Sequence, residues 1–298
     1  MQGLQAAADL LAQRAARPSR PVEFQPIAPA AKATLPPCVA VDGSSAVLVD
    51  NGSAWVVAYR AAAVPWPGPS PAEPVPQVAA TLPAEAQAAV DHAYARAGLA
   101  SPAVRTADAF ADALRSLAEH EAALAAVASL PAGGLLLVDG ALRGLPAEAD
   151  AAMARLVEAC RAQGVRLAGV AKRSGIEGSG VPLVPALLAE AAARGLAGPW
   201  TVEAEPGVHV AKLHRAGPHA FRVDGDDGVL PLLAAMADDA VYAGYPYPLA
   251  KAHNLVALTG AHVRDLQARL DLELLRRGQA AAGLARDFHA VLDANVPG

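Results

Sequence analysis

The hydrophobic pattern of the chain changes character at residue 38. Before it, Leu4 to Ala16 has the spacing of a short Ala-rich amphipathic helix stopped by Pro18 and Pro21. Residues 17–37 are rich in proline and alanine, as in an extended arm. From there the pattern turns strand-like. Cys38-Val39-Ala40-Val41-Asp42 is a short apolar run, Gly43-Ser44-Ser45 predicts a turn, and Ala46–Val49 is a second run. Asn51-Gly52 is a strong hairpin signal and Ala54–Tyr59 supplies a third strand, so the core is expected to open with a three-stranded antiparallel meander. A proline-rich loop follows from Pro65 to Pro76.

Helical periodicity then appears over roughly Pro83–Ala97 and Thr106–Val127. Gly134–Asp139 is a fully apolar strand of the kind found at the centre of a sheet. A helix over Ala147–Gln163, a strand over Val165–Val170 and a helix over Val184–Arg194 come next, then strands over Val208–Leu213 and Ala220–Val223. The tail from Leu249 reads as helical, with Val263, Leu266, Leu270 and Leu274 spaced as an apolar stripe that suits either core packing or a dimer seam. Three antiparallel strands followed by helical crossovers to parallel strands is the order of the ribonuclease H-like fold. The expected class is therefore α/β, with a mixed sheet, additional helices and a C-terminal helical segment. The expected division is an arm over residues 1–36 and one domain over 37–298.

Composition narrows the picture. No apolar run among the 298 residues approaches the roughly 20 that a membrane-spanning helix needs, and the N-terminus lacks the basic-then-apolar order of a secretory signal. Cys38 and Cys160 are the only cysteines, too few for a disulfide framework or a four-thiolate zinc site, so a cytoplasmic location is expected. The net charge of −5 speaks against nucleic acid at first sight. Its distribution softens the objection: residues 1–37 carry +2, residues 249–298 carry +1, and the centre carries −8. Such a centre suits a solvated surface or a site that works through metal ions.

The tripeptide Val-Asp-Gly occurs at 41–43, 138–140 and 223–225. The third copy, running into Asp226-Asp227-Gly228, reads as a turn, since it lacks the ligand spacing and closing glutamate of a calcium loop. The first two differ, because in a ribonuclease H-like sheet their strands are parallel neighbours and Asp42 and Asp139 project at the same end. Two carboxylates that close persist at neutral pH when divalent cations neutralise them, and hard oxygen ligands suit magnesium or manganese. Between them in sequence, Glu119 and Glu121 share one helix. Periodicity places Glu121 near the stripe of Phe110, Leu114, Leu117 and Leu124, with Glu119 on an Ala-rich face. Lys172-Arg173 closes the strand 165–170 and could hold a phosphodiester or simply be a solvated strand end. The glycine-rich loop after it lacks the Gly-Lys-Ser/Thr ending of a P-loop. Tyr242, Tyr245 and Tyr247 cluster ahead of a helix that Pro248 is placed to start and that carries His253.

In order, Val41-Asp42-Gly43-Ser44-Ser45, Val138-Asp139-Gly140-Ala141-Leu142, Val170-Ala171-Lys172-Arg173-Ser174 and Gly244-Tyr245-Pro246-Tyr247-Pro248-Leu249-Ala250-Lys251-Ala252-His253 resemble the NurA nuclease family over roughly residues 38–255. That resemblance implies a dimeric, manganese-dependent DNA nuclease (magnesium being the other ion to consider) with two ions. It would be of the single-strand endonuclease and 5′–3′ exonuclease type, resecting DNA ends in double-strand break repair and homologous recombination with the hexameric ATPase HerA. It implies Asp42, Glu119, Asp139 and His253 as metal ligands, Tyr245 as a site residue and Lys172 as a phosphate contact, with Arg173 and Arg222 adding DNA affinity. Glu119 follows an arginine, Arg115, by four positions as the family's glutamate does, in conflict with the periodicity that favours Glu121. The sequence departs from the family at Ala141, where serine is more common. Two rival readings remain. An actin-like phosphotransferase would need a later glycine-rich adenosine loop, which residues 225–298 do not show. The other is a non-catalytic scaffold that binds DNA ends or a partner.

Overall fold

The computed structural model describes residues 4–5, 22–143, 147–172, 174–178, 181–242 and 244–279. Most of the helix expected from Leu4, together with Arg173 and the end of the glycine-rich loop, lies outside the described residues.

The strands are β1 (Gln25–Pro26), β2 (Cys38–Asp50), β3 (Trp55–Trp66), β4 (Gln77–Thr81), β5 (Leu135–Asp139), β6 (Arg166–Ala171), β7 (Glu177–Gly178), β8 (Val181–Pro182), β9 (Trp200–Glu205), β10 (Val208–Lys212) and β11 (Phe221–Asp224). The helices are α1 (Ala86–Arg96), α2 (Ala107–Ser129), α3 (Ala147–Gln163), α4 (Leu183–Ala193), α5 (Val229–Met236), α6 (Tyr247–Val256) and α7 (Gly260–Arg276). Nine strands form one sheet in the order β1-β9-β10-β11-β6-β5-β2-β3-β4. Its centre, β6-β5-β2, is parallel, and both flanks are antiparallel. This is the expected ribonuclease H-like mixed sheet.

The opening meander is present but is built differently from the expectation. Residues 43–45 do not turn: β2 runs unbroken for 13 residues, with Gly43, Ser44 and Ser45 paired to Ala61, Arg60 and Tyr59. The only reversal between β2 and β3 is at Asn51, whose Oδ1 accepts from the N–H groups of Ser53 and Ala54, with Gly52 at φ +76°. The meander's third strand is β4, in a stretch with no strand pattern of its own.

Residues alternate between two helical layers, as the period of two requires. Cys38, Ala40, Leu135, Leu137, Ala168 and Val170 face one layer, where α5 and α6 supply Leu230, Leu233, Leu249 and Ala252. Val39, Val41 and Leu136 face the other, against Ala123, Ala126 and Val127 of α2 and Leu156 and Cys160 of α3. Ile27 is buried in the first layer, and Phe24 packs edge-on against Trp200, so residues 22–27 lie on the sheet. Val263, Leu266 and Leu270 of the C-terminal stripe pack on Leu48, Val49 and Ala58, covering the outer part of the β2–β3 hairpin. No helix among the described residues is long and apolar enough to cross a membrane.

Candidate metal centre

The parallel pairing of β2 with β5 sets Val41 opposite Val138, which brings Asp42 and Asp139 side by side where the apolar runs end. Both belong to the face that carries Ala40 and Leu137, so their side chains meet α6. There His253 Nδ1 lies 2.9 Å from Asp42 Oδ2. Asp42, Asp139 and His253 each offer one ligand atom, and these atoms all lie within 4.8 Å of one another. Asp42 is buried and His253 is exposed, so the cluster is an inner carboxylate with an outer, solvent-accessible imidazole.

One positive group already answers the carboxylates. Lys172, one residue beyond β6 and on the same face, sets its Nζ 2.6 Å from Asp139 Oδ2 and 5.0 Å from the centre of the Tyr245 ring. Burial raises the Asp42 carboxyl above its usual range and Asp139 adds to this, while the Gly43 N–H (2.8 Å), His253 and Lys172 oppose it. The Tyr245 hydroxyl is buried beside the two aspartates, and burial, their charge and its hydrogen bond to Asp139 raise its pKa.

Glu119 enters from the opposite layer. Gly43 points its missing side chain at α2, and a Cβ there would stand 2.5 Å from Glu119 Oε1. The glycine therefore makes the seat that the glutamate occupies against β2, next to Asp42 in the chain. Burial pushes Glu119 up to about 7, with Asp42 and Asp139 contributing and Arg115, bonded to Oε1 at 2.6 Å, opposing. Glu121 is exposed, whereas Glu119 is near enough to feel the charge of both aspartates, although it stands outside the close group of Asp42, Asp139 and His253. The helical wheel fails because the buried stripe of α2 drifts. Phe110, Leu114 and Leu117 pack with α1 and the outer strand β3, whereas Ala123, Ala126 and Val127 pack on the central strands β2 and β5, and that second arc contains Glu119.

Gly43→Ala tests this seat directly. The side chain it meets is the end of a flexible glutamate, so stability should change by less than about 1 kcal/mol, while displacing the carboxylate by an ångström should lower any activity that needs it by about 10²-fold. Thermal melting and a turnover assay on one preparation check both.

Arg222 does not join the site. Its register partner is Ala171, which places it on the face opposite Lys172, and its guanidinium is occupied by Asp224 at 2.6 and 2.8 Å and by the Arg143 carbonyl. Arg173 lies outside the described residues.

Two supporting residues carry no motif. Arg60, 2% exposed, donates to the Val256 and Ala257 carbonyls at 2.7 and 2.8 Å and to Glu73, and so fixes the C-terminal end of the helix that bears His253. The signal was a single arginine inside the apolar run 54–66. The third Val-Asp-Gly copy is not only a turn: Asp224, fully buried, accepts from the Leu142 and Arg143 N–H groups and holds the loop that follows Asp139.

A mixed sheet with acidic side chains at the ends of two adjacent parallel strands, and a third acid from a flanking helix, defines a ribonuclease H-like domain. More narrowly, the chain belongs to the NurA domain family, whose model matches residues 37–190. Among solved structures it is similar to the NurA nuclease from Sulfolobus solfataricus, with 14% identity, 85% of this chain and 88% of that chain covered, and a TM-score of 0.55. It is also similar to human ENDOV (14% identity, 88% of this chain and 98% of that, TM-score 0.41). A third is Ciona intestinalis endonuclease V in complex with DNA (12% identity, 77% and 90%, TM-score 0.41). No curated protein matches the chain.

Proposed function

We propose that this protein is a divalent-metal-dependent nuclease that hydrolyses phosphodiesters of DNA. The observation that carries the reading is the convergence of Asp42, Asp139 and His253 within 4.8 Å at the ends of neighbouring strands. The donor set fits the ion: two carboxylates and an imidazole suit manganese or magnesium, and the ammonium of Lys172 already sits on Asp139 as a cation would. A cation held there would neutralise the carboxylates, activate water and offset the negative charge that develops on the phosphoryl and leaving oxygens.

The remaining steps belong to the chain's own groups. Lys172, drawn off Asp139, binds a non-bridging phosphate oxygen and stays against the Tyr245 ring. The Tyr245 ring supports the Lys172 ammonium beside the two aspartates. Glu119, with a pKa near neutrality, can take the proton of the attacking water or become a further metal donor once released by Arg115. Two ions are proposed, the second depending on that release. Family membership supports the finer reading: a manganese enzyme acting as a homodimer with a HerA-type ATPase, as single-strand endonuclease and 5′–3′ exonuclease in DNA end resection. The domain is assigned to residues 37–298.

The test is cleavage of end-labelled single-stranded DNA by the purified protein with manganese, magnesium or EDTA. Cutting with manganese that EDTA abolishes is the expected result. Cutting undiminished by EDTA would overturn the metal mechanism, and no cutting in either metal, with or without a HerA-type ATPase, would overturn the nuclease.

A further inference from the structure

A loop of unusual charge shares one end of the sheet with the metal centre. β11 runs antiparallel to β6, and β10 antiparallel to β11, so residues 213–220 return at the end where Asp42, Asp139 and Lys172 lie. β11 stands two strands from β5, about 10 Å across the sheet. The loop packs on the segment that leads into Tyr245: a Cβ on Gly244 would stand 3.3 Å from Gly217 Cα and 4.0 Å from His214 Cβ. Rings continue the contact. Lys172 Nζ is 5.0 Å from the Tyr245 ring centre, Tyr245 is 5.3 Å from Phe221, and Phe221 is 6.4 Å from His219. Phe221 is buried and His219 exposed, so this line of contacts leads from the aspartates out to solvent.

The loop's charge runs against that of the region around it. Residues 206–223 hold Lys212, Arg215, Arg222 and the histidines 209, 214 and 219, with no carboxylate, inside a centre that carries −8. Most of these groups are committed elsewhere. Arg222 is held by Asp224, His209 is buried, and Lys212 lies on the other face with its stem against Gly198. His214 Nε2 is 3.5 Å from Asp238, a carboxylate that Lys32 also meets at 2.9 Å. Arg215 and His219 remain: both are exposed, and neither side chain has a hydrogen-bond or ion-pair partner among the described residues.

We propose that residues 213–220 form a second contact to the DNA strand, in which Arg215 holds the phosphate of a nucleotide beside the scissile one and His219 offers an imidazole N–H to the same phosphate; this rests on the nuclease reading. An exposed guanidinium with no counter-ion gives up no protein contact on binding, and its planar fork matches phosphate oxygens. A polyanion whose charges repeat along a chain can reach this loop and the metal centre together, which a single small anion cannot. The loop lies beyond residues 37–190, over which the family model matches, so it is assigned on its geometry and charge.

The experiment uses the full chain and single-stranded oligonucleotides in which one uncharged methylphosphonate is moved stepwise past the cleaved bond. With manganese, cleavage by wild type should fall about 3- to 10-fold at one fixed offset. Arg215→Ala should lose about as much on the unmodified strand and feel no further loss at that offset, and Arg215→Lys should recover part of it. His219→Ala should weaken the same offset. In EDTA, anisotropy of a labelled oligonucleotide across a salt series should give Arg215→Ala a slope of log affinity against log salt smaller by about 0.7. Arg161→Ala, which removes the same charge from the end of α3 at the opposite edge, should keep the wild-type slope. A methylphosphonate effect of equal size in wild type and Arg215→Ala, or no effect at any offset, overturns the proposal and leaves the nuclease reading standing. If nothing is cut in any metal, that reading fails and the salt series decides alone: a slope lowered only by Arg215→Ala supports the loop as a DNA contact. An unchanged slope, equal loss in Arg161→Ala, or no DNA binding at all overturns it.

Discussion

Asp139→Asn is expected to lower metal-dependent DNA cleavage by at least about 10³-fold while leaving the fold intact. The amide keeps the shape of the carboxyl but offers a cation no charge, and it deprives Lys172 of its 2.6 Å partner. The fold tolerates the change for a reason visible in the site. Asp139 is one of the groups that raises the Asp42 carboxyl, so removing its charge relieves repulsion in the metal-free protein. Lys172, 39% exposed, recovers its hydration. The melting temperature in EDTA should therefore stay within about 4 °C of wild type or rise. Calorimetric titration with manganese supplies a second readout, because affinity should fall whatever the assay substrate. Retention of full manganese-dependent cutting by Asp139→Asn would remove Asp139 from the centre, and a collapsed melting temperature would make it a structural residue.

Such a site was readable in sequence where one residue type does one job. An all-apolar run closed by Asp-Gly can only be a buried strand with its carboxylate at the tip, so Leu135–Asp139 and the placement of Asp139 followed directly. Asn-Gly located the hairpin. Gly43-Ser44-Ser45 misled because small polar residues mark turns only when no partner is available, and here β3 pairs along the whole of β2. One strand and one helix had little signal. Gln77–Thr81 sits at the sheet edge, mostly exposed, so nothing forces an apolar alternation on it. Helix α5 is buried on nearly every side, and a helix apolar all round has no period to detect. Arg222 was misplaced for a simpler reason: a strand residue's face depends on register, and register against β6 is a tertiary fact. Glu119 needed both a drifting helix stripe and the gap at Gly43, neither of which a wheel contains.

Asp224→Ala carries the largest expected cost in stability. Asp224 is fully buried and accepts four hydrogen bonds, two from Arg222 and two from the backbone N–H groups of Leu142 and Arg143. Alanine leaves a guanidinium that is only 13% exposed without its counter-ion and two N–H groups without acceptors. Removing one partner of a buried pair costs about 3–5 kcal/mol, because the other charge stays desolvated. In a chain of this size that lowers the melting temperature by roughly 5–8 °C. The loss should reach the metal centre as well, since the loop tied to Asp224 begins at Gly140, held at φ +135° directly after Asp139. Arg222→Met in the same chain should recover part of the stability, as it removes the stranded charge, but not the activity, because the loop still lacks its anchor. A double-mutant cycle on melting temperature and cleavage separates the two effects. A melting temperature for Asp224→Ala within about 2 °C of wild type would mean that the pair is solvated and that the loop holds Asp139 in place without it.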